Sequence, residues 1–275
     1  MNAHVQFTAA HQKRQQTAPD VVTVQDVTLR YATERGTLTA AEDISFTIRE
    51  GERFVLLGPS GCGKSSLLKS VAGFLPPASG SISIRGRAIE RPGPDRMVVF
   101  QEFDQLLPWK SVIDNVAFPL RVAKKLDRAT ARERARSALD KVGLSRALDV
   151  YPHTLSGGMK QRAAIARALA MESDILLMDE PFAALDALTR RTLQEDLLAL
   201  VEELRLTLLF VTHSIEEAVL IGTDLHLLSA HPGRTIKTVH TSHLTLADEG
   251  TAAFDDLVGD VRRTLFAKPE GGDHG

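Results

Sequence analysis

The segment Gly58-Pro59-Ser60-Gly61-Cys62-Gly63-Lys64-Ser65 fits the pattern G-x-x-x-x-G-K-[ST]. Its chemistry is the cradling of phosphate. Glycines let the backbone curl until successive N–H groups converge on anionic oxygens, and the N-terminus of a following helix adds its positive dipole end. In such a loop Lys64 can reach the β- and γ-phosphates of a nucleoside triphosphate, and the Ser65 hydroxyl can ligate Mg²⁺. Cys62 stands at an unconstrained position of the pattern, so it reads as a small residue that fits and not as a redox group.

Hydrolysis needs more than binding. Phosphoryl transfer to water calls for a metal-holding carboxylate, a group that orients the water, and donors for the γ-phosphate. Asp179 and Glu180 end the apolar run Ile175-Leu176-Leu177-Met178, a placement that suits Asp179 to the metal shell and Glu180 to the water. A lone Asp-Glu pair ordinarily marks an exposed turn. At the end of a buried strand, in a chain that already carries a phosphate loop, the functional reading prevails. His213 follows a second apolar run, Leu208 to Thr212, at an equivalent end, where ligands of open α/β sheets collect. There it could contact the γ-phosphate.

These groups must be positioned by strands and helices. Val22–Tyr31 and Asp43–Ile48 alternate like half-buried strands, and Phe54–Leu57 is a short apolar run of the kind buried on both faces. Ser79–Ile84 and Met97–Phe100 read as further strands, and Ser66–Ala72 as the helix after the phosphate loop. From about 102 to 170 the pattern turns helical, with Ala131, Ala135, Ala138, Leu139 and Val142 on one face and Gly143 where a C-cap would sit. Strand patterns return at 175–178 and 208–211, separated by a helix lined by Leu193, Leu197, Leu200, Val201 and Leu204. Leu225–Leu228 and Thr235–Val239 are the last strands. The polar residues 1–19 read as a tail, 20–245 as one nucleotide-binding domain, and 246–275 as a C-terminal helix and tail.

Composition narrows the class. With a net charge of −2 over 275 residues, the chain lacks the basic footprint of a nucleic-acid binder. A single cysteine excludes an intrachain disulfide and argues against a cysteine metal site. The apolar runs fall far short of the roughly 20 residues that cross a bilayer, and no apolar segment follows the N-terminus as a secretory signal would require. Any membrane role must come through a partner.

A second glycine turn, Leu155-Ser156-Gly157-Gly158-Met159-Lys160-Gln161-Arg162, also opens a helix. With it the sequence resembles the ATP-binding subunits of ABC transporters, whose signature reads LSGGQ. That resemblance spans about 22–239 and implies a P-loop NTPase core of ABC type, α/β, with an antiparallel β subdomain and an inserted α-helical subdomain. It implies that Tyr31 stacks on adenine and that Gln101 touches Mg²⁺ and water while linking the core to the helical subdomain. Ser156, Gly157 and Gly158 would cover the γ-phosphate of ATP bound by a second copy. Asp179 and Glu180 match the metal-binding and catalytic carboxylates, Ala184-Leu185-Asp186 the loop between paired sites, and His213 the switch histidine. Met159 and Lys160 depart from the signature, and Ser66 stands where many members have threonine. Because backbone N–H groups and Ser156 carry the binding, little loss is expected, and either hydroxyl at 66 can contact phosphate.

The segment Gln105–Val116 (QLLPWKSVIDNV) is similar to the LLPW…V-x-DNV stretch of ATPases that serve nitrate, sulfonate and taurine importers, as are Pro94-Asp95-Arg96 and Ser229–Arg234. The resemblance implies a homodimer of ATPase subunits, ATP and Mg²⁺ at each site, and permease subunits received around Phe103 to Trp109. It further implies a periplasmic or lipid-anchored solute-binding protein acting indirectly, no nucleic-acid partner, and a peripheral place on the cytoplasmic face of the plasma membrane. Two alternatives are an importer ATPase for another small organic solute and a soluble ABC ATPase outside transport; the latter usually carries tandem modules or long coiled-coil insertions, for which this chain has no room.

Overall fold

The computed structural model describes residues 18–34, 36–101, 105–241 and 244–267. The tail expected over 1–19 falls largely outside these residues, as do Glu102, Phe103 and the stretch 268–275. Strand β1 (Asp20–Thr33) pairs antiparallel with β2 (Gly36–Arg49) on one side and β4 (Ser79–Ile84) on the other, and β5 (Arg87–Ala88) extends the sheet. Val22 and Val24 point inward in β1, then Val27 and Leu29 do. The change of phase follows from a register shift between Val24 and Val27, where Asp26 takes a φ of +51°. A bulge there lets a strand with out-of-step valines bury both halves.

The second sheet has strand order β10-β9-β3-β8-β7-β6. Its members are β3 (Arg53–Leu57), β6 (Arg96–Val99), β7 (Ile175–Asp179), β8 (Thr207–Thr212), β9 (Asp224–Leu228) and β10 (Thr235–His240); all pair in parallel except β10. The continuous apolar runs are explained by two cores. Phe54 and Leu56 of β3 join the core shared with the antiparallel sheet, whereas Val55 and Leu57 face the helices on the opposite side. Strands β7 and β8 alternate in the same way. Helix α1 (Lys64–Ala72) packs against strands of both sheets.

The helical insertion contains α2 (Val112–Val122), α3 (Arg128–Lys141) and α4 (Gly157–Ala170), capped by Ser111, Asp127 and Ser156. Each cap accepts a hydrogen bond from a first-turn N–H that would otherwise be orphaned. The alanine face expected for α3 is buried, and Gly143 takes the left-handed conformation (φ +71°) just after it. In α4 the run of small residues Ala163, Ala164, Ala166 and Ala168 is buried. Helix α5 (Ala187–Leu204) buries Leu193, Leu197, Leu200 and Val201, while Leu204 is half-buried. A short α6 (Ile215–Ile221) and a C-terminal α7 (Ala252–Phe266) complete the chain. Of these elements, β5 and α6 had no counterpart in the sequence expectations.

Candidate nucleotide site

The phosphate loop leaves β3 and enters α1 at Lys64. Gly63 has φ +89°, and a Cβ there would lie 2.7 Å from the Ala40 carbonyl oxygen, so glycine is required on both counts. The Lys64 side chain is buried across the loop, its ammonium donating to the Gly58 carbonyl at 2.7 Å and to that of Pro59 at 2.9 Å. Cys62 is fully buried, and burial pushes its thiol pKa up, which fits a packing role for the side chain.

Gly233 braces this loop from outside. Its N–H donates to the Ala40 carbonyl at 3.0 Å and its own carbonyl accepts from Glu42 N at 2.8 Å, bridging the two sheets. A Cβ on Gly233 would stand 2.0 Å from the Cys62 carbonyl oxygen. The sequence marked Ser229–Arg234 only as a point of family likeness; a Pro-Gly pair in the short link between two strands was the signal for a close backbone approach.

Ser65, Gln101, Asp179, Glu180 and His213 lie at the carboxyl ends of the parallel strands. The Ser65 hydroxyl donates to Asp179 Oδ1 at 2.7 Å. Burial raises the Asp179 pKa, against the Ser65 bond and the nearby charges of Lys69 and Lys64. Next along, Glu180 takes a left-handed backbone (φ +43°), and its Oε2 lies 2.9 Å from His213 Nδ1. A non-glycine residue in that region is uncommon and clusters at functional sites. Gln101 is exposed just beyond β6, the strand beside β7. Tyr31, half-buried, donates its phenolic hydrogen to Ser66 Oγ at 2.8 Å, so the ring sits over the start of α1.

Ser156, Gly157 and Gly158 belong to another layer. Ser156 caps α4, accepting from Met159 N at 3.3 Å, and a Cβ on Gly158 would meet the Thr189 methyl at 2.8 Å. The turn between Glu180 and α5 is held from α5 itself: Arg190 donates to the carbonyls of Phe182 (3.3 Å) and Leu185 (2.8 Å), and Asp186 caps the helix by accepting from Thr189 N. Beside the helical insertion, a cavity of about 340 Å³ is lined by Phe74, Met97, Phe100, Leu107 and Phe118. Trp109 is 70% exposed. Ser65 and Asp179 present paired oxygen donors of the kind a hard divalent cation prefers, and the loop amides and Lys64 suit a polyphosphate.

The sequence profile of the ABC transporter family matches residues 41–183. The taurine import ATP-binding protein TauB of Rhizobium johnstonii is 52% identical over 73% of this chain and 76% of its own length. The nitrate import ATP-binding protein NrtD of Synechococcus elongatus is 46% identical over 76% of both chains. Among solved structures, a dimeric bacterial ABC transporter cassette superposes with a TM-score of 0.72 at 31% identity, covering 80% of this chain and 98% of that one. The same cassette, captured as a dimer with ADP and Pi after hydrolysis, gives a TM-score of 0.70 at 30% identity, with the same coverage. A phosphate loop between two sheets, a helical insertion opened by a second glycine turn and this degree of likeness lead to one conclusion: the chain belongs to the ABC transporter family, as one of its ATP-binding, ATP-hydrolysing subunits.

Proposed function

We propose that this subunit energises uptake of a small oxyanion or sulfonate, such as nitrate or taurine, by binding ATP between two copies of itself. The observation that carries the hydrolytic part is the pairing of Ser65 with Asp179 and of Glu180 with His213 at the carboxyl ends of β7 and β8. The loop Gly58–Ser65 holds the phosphates, with Gly58, Pro59, Ser60, Gly61, Cys62 and Gly63 supplying backbone and Lys64 the charge. Tyr31 faces the adenine end, and the Ser66 hydroxyl stands beside the phosphates. Mg²⁺ carried with ATP would be held by Ser65, Asp179 and Gln101, and would neutralise phosphate charge. Glu180 accepts a proton from the attacking water, and His213 orients Glu180 and contacts the γ-phosphate. Ser156, Gly157 and Gly158 act on ATP held by the other copy; their lodging in the helical layer favours this division.

Import follows from the relatives, which are named for taurine, nitrate and bicarbonate import. Among the described residues no helix is long and apolar enough to cross a membrane. Attachment on the cytoplasmic face therefore runs through permease subunits, received at the apolar cavity and Trp109, with a solute-binding protein supplying cargo from the other side. Glu180→Gln is the test. With MgATP it should accumulate as a long-lived dimer in size-exclusion chromatography while turnover falls about 10³-fold, within the range for a general base. A variant that stays monomeric and hydrolyses normally would remove both the base and the composite site. Uptake of labelled taurine and nitrate by the reconstituted importer decides the solute.

A further inference from the structure

One buried carboxylate has no part in that scheme. Glu217 lies in the first turn of α6, four residues after His213, and is 8% exposed. Its Oε1 accepts from Gln194 Nε2 at 2.9 Å, and Gln194 is itself 5% exposed. The Thr212 hydroxyl donates a second hydrogen bond, and the charges of Arg190 and His213 lie nearby. Burial nevertheless raises the carboxyl's pKa. A carboxylate is a costly way to join two helices. An apolar side chain of similar volume would pack there with less desolvation. What the carboxylate supplies in return is direction, because hydrogen bonds fix where a neighbour sits and apolar contact does not.

The two helices it joins each begin at one half of the Glu180–His213 contact. Helix α5 grips the turn just after Glu180 through Arg190, which holds the Phe182 and Leu185 carbonyls. Helix α6 starts directly after His213: Ser214 Oγ accepts from Glu217 N at 3.2 Å, and Ser214 N donates to Thr212 Oγ1 at 3.1 Å. The bond between Gln194 and Glu217 therefore closes a ring. It runs from Glu180 through the turn to Arg190 and α5, across to α6, and back through residues 212–214 to His213. The ring encloses a cavity of about 260 Å³ lined by Glu180, Phe182, Arg190, Gln194, His213 and Glu217. Packing is thin at this point, so the far side of the ring must be held by bonds.

We propose that Glu217 is a positioning residue for ATP hydrolysis: anchored by Gln194, it sets the spacing of α5 and α6 and so keeps His213 within hydrogen-bond reach of Glu180. This rests on the hydrolytic reading of those two residues.

The test compares Glu217→Leu, Glu217→Gln and Gln194→Met in the full chain, with steady-state MgATP hydrolysis expressed per nucleotide-binding-competent molecule. Glu217→Leu and Gln194→Met should each lower kcat about tenfold or more while KM for ATP stays within about twofold, a split that corresponds to ~1.4 kcal/mol lost in the transition state alone. Glu217→Gln keeps an acceptor for Gln194 and should recover most of the rate. The double variant Glu217→Leu with Gln194→Met should be no slower than Glu217→Leu alone, since both cut one strut. A purely structural role would lower the thermal midpoint and the fraction of competent molecules but leave kcat per competent molecule alone. That result, or a rise in KM at constant kcat, overturns the proposal. If Glu217→Leu does not fold, Gln194→Met decides by itself, and an unchanged kcat there is equally fatal. Glu180→Gln runs alongside: its full activity would sink the hydrolytic reading, whereas an inactive Glu180→Gln beside normal strut variants would sink only the strut.

Discussion

Lys64 stretches back over its own loop, its ammonium held by the Gly58 and Pro59 carbonyls. A cation in this place ties the loop together, and in the proposed site it would also present charge to the phosphates. Lys64→Ala should therefore weaken MgATP binding about 100-fold, as expected for the loss of charge-assisted hydrogen bonds worth ~3 kcal/mol. Fluorescent-nucleotide titration reads this directly, and unaltered affinity would remove Lys64 from the site. The sequence made this residue legible because the loop pattern is local. Contacts across the chain were less so. Ser65 and Asp179 lie 114 positions apart, and only the metal role expected of each hinted that they meet. Tyr31 was expected at adenine; its bond to Ser66 depends on how a strand of one sheet crosses the helix that starts at the other, and no spacing encodes that.

At the scale of elements, the hairpin-like segment after β9 acts as a brace for the phosphate loop. Gly233→Ala would drive a methyl into the Cys62 carbonyl, which cannot move without disturbing the loop. We expect weaker nucleotide binding together with a stability loss of about 1–3 kcal/mol, typical of overpacking. Calorimetric unfolding and ATP titration of the same variant check both; a neutral outcome would mean the brace is dispensable. Although β2 starts at Gly36, seven residues before the expected Asp43, most strands were readable to within a few residues because apolar runs and alternation survive in single sequences. Two elements were not. Helix α6 is seven residues long, too short to display a helical period, and it buries Glu217, a residue type usually exposed. Strand β5 has two residues and no pattern at all.

The two sheets meet around a buried imidazole that governs how the whole molecule tolerates acid. His226 on β9 is 1% exposed, packs against Phe46 and Phe54, and bonds to Thr235 and Thr238. Burial lowers its pKa from 6.5 to about 4. Above pH 6.5 both folded and unfolded chains hold it neutral; below that, only the unfolded chain takes the proton. Stability should thus fall by ~3 kcal/mol as pH drops from about 6.5 to about 4. Glu52, Asp179 and Glu217, with raised pKa values, work in the opposite sense and blunt the decline. Comparing denaturation midpoints of parent and His226→Phe across this range isolates the imidazole; parallel curves would refute its role. Coupling to a permease is also a property of the assembly. Trp109→Ala should abolish most uptake while the ATPase of the isolated subunit persists, and normal uptake in vesicles would exclude Trp109 from the contact.

The position of β3 also bears on how the chain is made. This strand, apolar on both faces, lies between β8 and β9, which leave the ribosome about 150 residues later. At ordinary rates of synthesis that is a wait on the order of ten seconds. Throughout it, Phe54–Leu57 has no lateral neighbour and the loop it feeds has no Gly233 to rest on. A nascent chain halted before residue 207 would thus gain nothing from ATP, and its exposed central strand is the segment a chaperone would be needed to shield.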